Sequence, residues 1–173
     1  MTTQNTQAPE AWGEARSKNV TWHDPQLVVR AREGRSGLEH LRSWAGGEFP
    51  SAPISQLMGF TLTEAEEGGV RFEGTPDESV CNPMGAVHGG MMCTLLDSAT
   101  GCAVQTTLPA GVGYTSVEIK VSYLRPVFAG TPLYTRGWVS KPGRRMAFAE
   151  GEIRDAADKV VATASSSCLV FDL

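Results

Sequence analysis

From Gly90 to Val104 the chain reads GMMCTLLDSATGCAV, with Asp97 as its one charge among apolar and small residues. At about 100° per residue, Met91, Met92, Leu95, Leu96, Ala99, Cys102 and Ala103 fall on one stripe of a helix. A stripe that apolar has to be covered by a packed layer. The segments on either side supply strands. FTLTEAEE and VRFEGTPD, split by Gly68-Gly69, read as a hairpin. Four more strand candidates follow the helix: GYTSVEIKVSYLRPV, PLYTRGWVS, RMAFAEGEIRD and VVATASSSCLVF. Turn formers at Phe128 to Pro132, Lys141-Pro142-Gly143 and Asp155 to Lys159 join them, so these four are expected to be hairpin-linked. In the first, Val117, Ile119, Val121 and Tyr123 alternate with Glu118, Lys120 and Ser122, the pattern of a half-buried antiparallel strand. The fold class is therefore α+β, one long helix packed on an antiparallel sheet.

The sequence of 173 residues, 41% hydrophobic and 20% charged, suits one globular domain with a real core. Residues 1–23 are polar and lack periodicity, as a mobile arm would. Asp24 and Pro25 then open a helix that stops at Gly34. Ser36 with Glu39 forms a capping box for a second helix, ended by Gly46-Gly47. Residues 1–49 are thus expected to be an arm and two short helices on the edge of a domain spanning 50–173, with ISQLMGF as a further short helix before the strands.

The net charge of -4 argues against nucleic acid, whose phosphates need a basic footprint. No apolar run approaches the roughly 18 residues of a membrane span, and the N-terminus lacks a signal-peptide pattern, so a cytoplasmic protein is expected. The cysteines at 81, 93, 102 and 168 have neither CxxC pairing nor histidines at zinc spacing, which leaves reduced core thiols and no metal. Cys93 is a candidate nucleophile without an adjacent base.

A helix face turned to water normally carries Lys, Glu and Arg. Opposite the apolar stripe lie instead Gly90, Cys93, Thr94, Asp97, Thr100, Gly101 and Val104. Small residues admit a second backbone, so the same helix of a twin subunit is expected to cover this side. Taken alone, Asp97 is an ordinary helix-surface acid; His88-Gly89-Gly90 gives it significance. Glycines at a helix start leave N–H groups uncovered at the positive end of the dipole, where they can hold a developing oxyanion. A carboxylate is the complementary base or nucleophile. His88 and Asp97 are nine residues, or about 13 Å, apart along one helix. The pairing therefore has to run between chains, Gly89 of one with Asp97 of the other. His88 is expected to fix the loop by hydrogen bonds, and Asn82 either to make a turn or to hold water or substrate.

NPMGAVHGG, the acid at Asp97, GYTSVEIKVSYLRPV and the closing ATASSSCLVF together resemble the hotdog-fold acyl-CoA thioesterases of the phenylacetate-degradation type. The likeness covers about residues 50 to 172. It implies a sheet wrapped around a central helix, a dimer whose sheets join, a tetramer of two dimers, and hydrolysis of a coenzyme A thioester without any cofactor beyond the CoA of the substrate. By motif position it implies Asn82, His88, Gly89 and Asp97 as the active-site set, with Gly89 as oxyanion donor. Ser116 matches a position that in some relatives helps hold the attacking water. Gly90, Ser116 and Met84 are expected to face the substrate, in a pocket shaped also by Met58, Phe60 and Met91. Some relatives acting on hydroxybenzoyl substrates carry Glu and, four residues later, Thr; this chain has Asp97 and Gly101. For the coenzyme's phosphates, Arg144 and Arg145 in KPGRRMAF are the candidates, with Arg125 a third. Gly111-x-Gly113 is too short a pattern for a dinucleotide fingerprint. A hydratase or dehydratase on the same scaffold and a non-catalytic acyl-CoA sensor are the alternative readings.

Overall fold

The computed structural model describes residues 10–173, so the first nine residues of the expected arm lie outside the described residues. The rest of that arm is tethered: Arg16 pairs with Glu78, and Lys18 reaches Asp77 at 2.7 Å and the Leu57 carbonyl at 3.2 Å. The helix opened by Asp24 is short, α1 (Gln26–Arg30), with the Asp24 carboxylate accepting from the Gln26 N–H at 2.9 Å. Helix α2 (Gly37–Ala45) has the expected capping box between Ser36 and Glu39. It does not sit on the edge. Leu41 is 1% exposed in the main core, and the Trp44 ring meets the edge of Phe72 at 5.9 Å. Gly37 lies so close to the next layer that a Cβ there would stand 1.7 Å from the Gln105 carbonyl oxygen. Helix α2 therefore shares its core with residues 50–173. The backbone closeness that allows this depends on Gly37 lacking a side chain.

Helix α3 (Pro53–Met58) leads into the hairpin β1 (Phe60–Glu66) and β2 (Gly69–Gly74), as its turn glycines require. The long helix is α4 (Gly89–Thr106), followed by β3 (Val112–Tyr123), β4 (Leu133–Lys141), β5 (Met146–Asp155) and β6 (Val160–Asp172). Every strand pair is antiparallel, in the order β1-β2-β4-β5-β6-β3. Of the four strands after α4, only β4, β5 and β6 are linked by hairpins. The expected β3–β4 hairpin is replaced by a crossing. The chain leaving β3 stays beside β6, where Leu124 and Arg125 donate to the Val161 carbonyl, and then returns to place β4 against β2. Alternation tells which face a residue takes but not which strand is its neighbour.

The alternation within β3 also breaks. Its register against β6 shifts between Ser116 and Glu118, a β-bulge at Val117. Tyr114 and Ser116 face α4 before the bulge, and Ile119 and Val121 pack on the core after it. Val117, expected beside Ile119, is instead exposed on the outer face.

The sheet curls around α4 and closes on it through glycines. A Cβ at Gly137 of β4 would stand 2.3 Å from the Ala99 carbonyl oxygen. Among the described residues no helix is long and apolar enough to cross a membrane. Gly137→Ala is expected to destabilise the protein by about 1–3 kcal/mol or more, since neither backbone can retreat from a packed core. A urea unfolding midpoint equal to wild type would show that the helix–sheet distance is set elsewhere.

Candidate active site

Asn82 organises the loop before α4. Its Oδ1 accepts from the N–H groups of Met84 at 2.9 Å and Ala86 at 3.3 Å, and Gly85 takes φ +79° to close the turn. The Val87 N–H donates to Val127 and the His88 N–H to Val80, fixing the loop to the body of the protein. His88 then serves as the N-cap of α4, its Nδ1 accepting from the Gly90 N–H at 2.8 Å. This is the loop-fixing task expected of it. It also distinguishes the two glycines. Gly90 spends its N–H on His88, whereas among the described residues no acceptor in the chain takes the Gly89 N–H. Gly89 thus offers the free donor at the positive end of an eighteen-residue helix.

Asp97 is half-buried eight positions further along α4, and Ser116 donates its Oγ–H to Asp97 Oδ1 at 2.8 Å. The bulge at Val117 lets Ser116 face the helix. Around this pair lie Cys102, Tyr114 and Cys168. Burial pushes the Cys102 thiol up to about 12 and the Tyr114 phenol well above its ordinary range, so both remain protonated near the carboxylate. Burial and the nearby Asp97 also raise the Cys93 thiol, which removes the thiolate a nucleophile would need.

The helix face expected to await a twin subunit is half covered by the chain itself. Gly101 lies under the Tyr114 ring, where a Cβ would meet the hydroxyl at 2.6 Å. Thr100 and Val104 are buried, Val104 in a second cluster with Ala147, Ala149, Cys168 and Val170. The curled sheet reaches round the C-terminal half of α4. Gly89, Gly90, Cys93, Thr94 and Asp97, in the N-terminal half, remain at least partly accessible.

The other expected positions scatter. Met84 is 90% exposed at the loop tip, while Phe60 and Met91 are core residues. Arg144 and Arg145 line a cleft of about 690 Å³ with Thr107, Leu108 and Phe171, at the far end of α4 from Gly89. Arg125 is turned to the Val160 carbonyl. One contact to the start of α4 had no sequence signal: the Tyr123 hydroxyl donates to the Gly89 carbonyl at 2.9 Å. Only the bulge turns Tyr123 toward the helix together with Ser116, and alternation does not reveal a bulge.

The model of the thioesterase superfamily matches residues 84–162. Human acyl-coenzyme A thioesterase 13 is 30% identical over 97 residues, covering 56% of this chain and 69% of that protein. A Caenorhabditis elegans protein named as a candidate esterase is 40% identical over 90 residues, 52% of this chain; the match spans about half of that relative, 53%. Among solved structures, the phenylacetic acid degradation-related protein of Ralstonia eutropha JMP134 superposes with a TM-score of 0.69 at 28% identity, over 75% of this chain and 98% of that one.

Cys102 and Cys168 are expected to resist a thiol reagent at pH 8 in the native protein and Cys93 to react slowly, all becoming reactive on unfolding. Rapid native labelling of Cys102, read by peptide mass spectrometry, would contradict its enclosure.

Proposed function

The chain belongs to the thioesterase superfamily and has its hotdog fold, and from this we propose that it hydrolyses acyl-CoA thioesters to the free acid and coenzyme A. The carrying observation is the pair of groups that α4 leaves available: an unspent N–H at Gly89 and a half-buried carboxylate at Asp97 held by one serine. The thioester oxygen takes the Gly89 N–H, and negative charge developing there is stabilised by the helix start. Water adds to the carbonyl carbon while its proton passes to Asp97; the C–S bond then breaks and the sulfur leaves with that proton. Direct attack by Asp97, through an anhydride, uses the same carboxylate. The Ser116 bond to Oδ1 leaves Oδ2 for this work. Asn82 has its Oδ1 engaged in the loop, so its amide hydrogens are the part left for substrate or water.

Gly89 and Asp97 stand eight residues, about 12 Å, apart on one rod, beyond what a single carbonyl spans. We therefore assign the Asp97 to a second subunit. Strand β3 favours this: among the described residues it is a twelve-residue edge with no strand on its outer side, the kind of edge that a second sheet completes. Val117, Phe148, Leu169 and Phe171, exposed on the outer face of the sheet, suit the contact between two dimers. Gly90, Ser116 and Met84 border the acyl group, and Arg144 and Arg145 take coenzyme phosphates at the mouth of their cleft. The four free thiols fit a reducing, cytoplasmic setting.

A thiol-release assay across aromatic and aliphatic CoA esters is expected to find turnover. Asp97→Asn should lower it by orders of magnitude with the fold retained. Unchanged turnover would remove Asp97 from the chemistry. Tight binding of acyl-CoA without any thiol release would favour a sensor, and hydration of an enoyl-CoA would favour a hydratase.

A further inference from the structure

Two polar side chains of β3 meet α4 from the same face, Ser116 at Asp97 and Tyr123 at Gly89. They are an odd number of residues apart, which in an unbroken strand would put them on opposite faces. The extra residue at Val117 reverses the alternation and turns both toward the helix. One edge strand thus holds both ends of the functional stretch of α4.

The Tyr123 contact is close and specific. Its hydroxyl donates to the Gly89 carbonyl at 2.9 Å, and its ring lies over the glycine, where a Cβ would stand 2.9 Å from Cζ. On the other side the next N–H, of Gly90, is held by His88 Nδ1 at 2.8 Å. Two consecutive glycines in an open first turn are the least constrained backbone a helix can present. Tyr123 and His88 thus hold the two polar ends of one peptide, Gly89–Gly90, while the N–H of the preceding peptide, that of Gly89, is left free. Tyr123 itself is 51% exposed, so its place is not explained by burial in the core.

We propose that Tyr123 is a positioning residue for the oxyanion-binding amide: by holding the Gly89–Gly90 peptide through its carbonyl and packing its ring on Gly89, it limits rotation about the Gly89 Cα, so that the N–H on the other side of that carbon keeps one direction before substrate arrives. This rests on the thioesterase reading of Gly89 and names the part that preorganises it. It also gives Gly89 its reason to be glycine: the space for a side chain is taken by the phenol ring.

The test is Tyr123→Phe, which keeps the ring and removes the donor. In the full-length protein, kcat on whichever acyl-CoA ester the wild type turns over is expected to fall roughly tenfold, short of the 10²–10³ lost with a whole oxyanion donor. KM and the melting temperature should stay near wild type. The ¹⁵N order parameter of the Gly89 amide should fall from the rigid-backbone level of about 0.85. An unchanged kcat in an active protein, or an unchanged Gly89 order parameter, overturns the proposal; so does a loss of kcat that comes only with a matching loss of thermal stability. If the wild type hydrolyses no CoA ester, the functional reading fails, and the order parameter still decides whether Tyr123 holds Gly89.

Discussion

Burial of α4 against the concave face of the sheet is the contact from which the other features follow. A helix with one charge cannot remain in water; its backbone approaches β4 at Gly137, and its Thr100 and Leu96 side chains pack on Gly151 of β5, where no side chain stands in the way. That closeness lets the sheet wrap far enough for Tyr114, Val104 and Thr100 to be enclosed on the helix's second side. It also leaves one face of the first turns of α4, from Gly89 to Asp97, at least partly accessible. The free amide and the half-buried acid sit there because the embrace is incomplete.

The edge strand β3 connects this packing to the chemistry. A regular strand would present one set of alternate residues to the helix from end to end. The bulge at Val117 breaks that rule once, so that Ser116 holds the carboxylate and Tyr123 holds the helix start. Strand geometry and the geometry of the proposed site are here a single device. Among the described residues the outer side of the same strand pairs with no other strand, which ties the completion of the sheet to the completion of the proposed site.

The element boundaries were largely legible because they rest on local physics. The capping box at Ser36, the glycine stops, the hairpin at Gly68-Gly69 and the apolar stripe of α4 each depend on residues within a few positions of one another. His88-Gly89-Gly90 with Asp97 stood out for a similar reason: small residues and one acid occupied a face that solvent would have filled with long charged side chains. The errors were non-local. The place of α2 in the core depends on Gly37 meeting Gln105 across the fold. The return of β3 to the far edge of the sheet, and the self-covering of the helix's second face, depend on how distant strands assemble.

By itself, then, the sequence determined which segments are helix or strand, which stripe of α4 must be hidden, and which glycines and acid stand out on its other face; periodicity and capping act over one or two turns of chain. Only the tertiary structure decided that His88 consumes the Gly90 N–H and spares Gly89, that Ser116 reaches Asp97, and that Tyr123 clamps the helix start. Those three outcomes are fixed by orientation, through a histidine rotamer and one inserted strand residue. Neither leaves a mark in the hydrophobic pattern, because both change where a side chain points without changing what the side chain is.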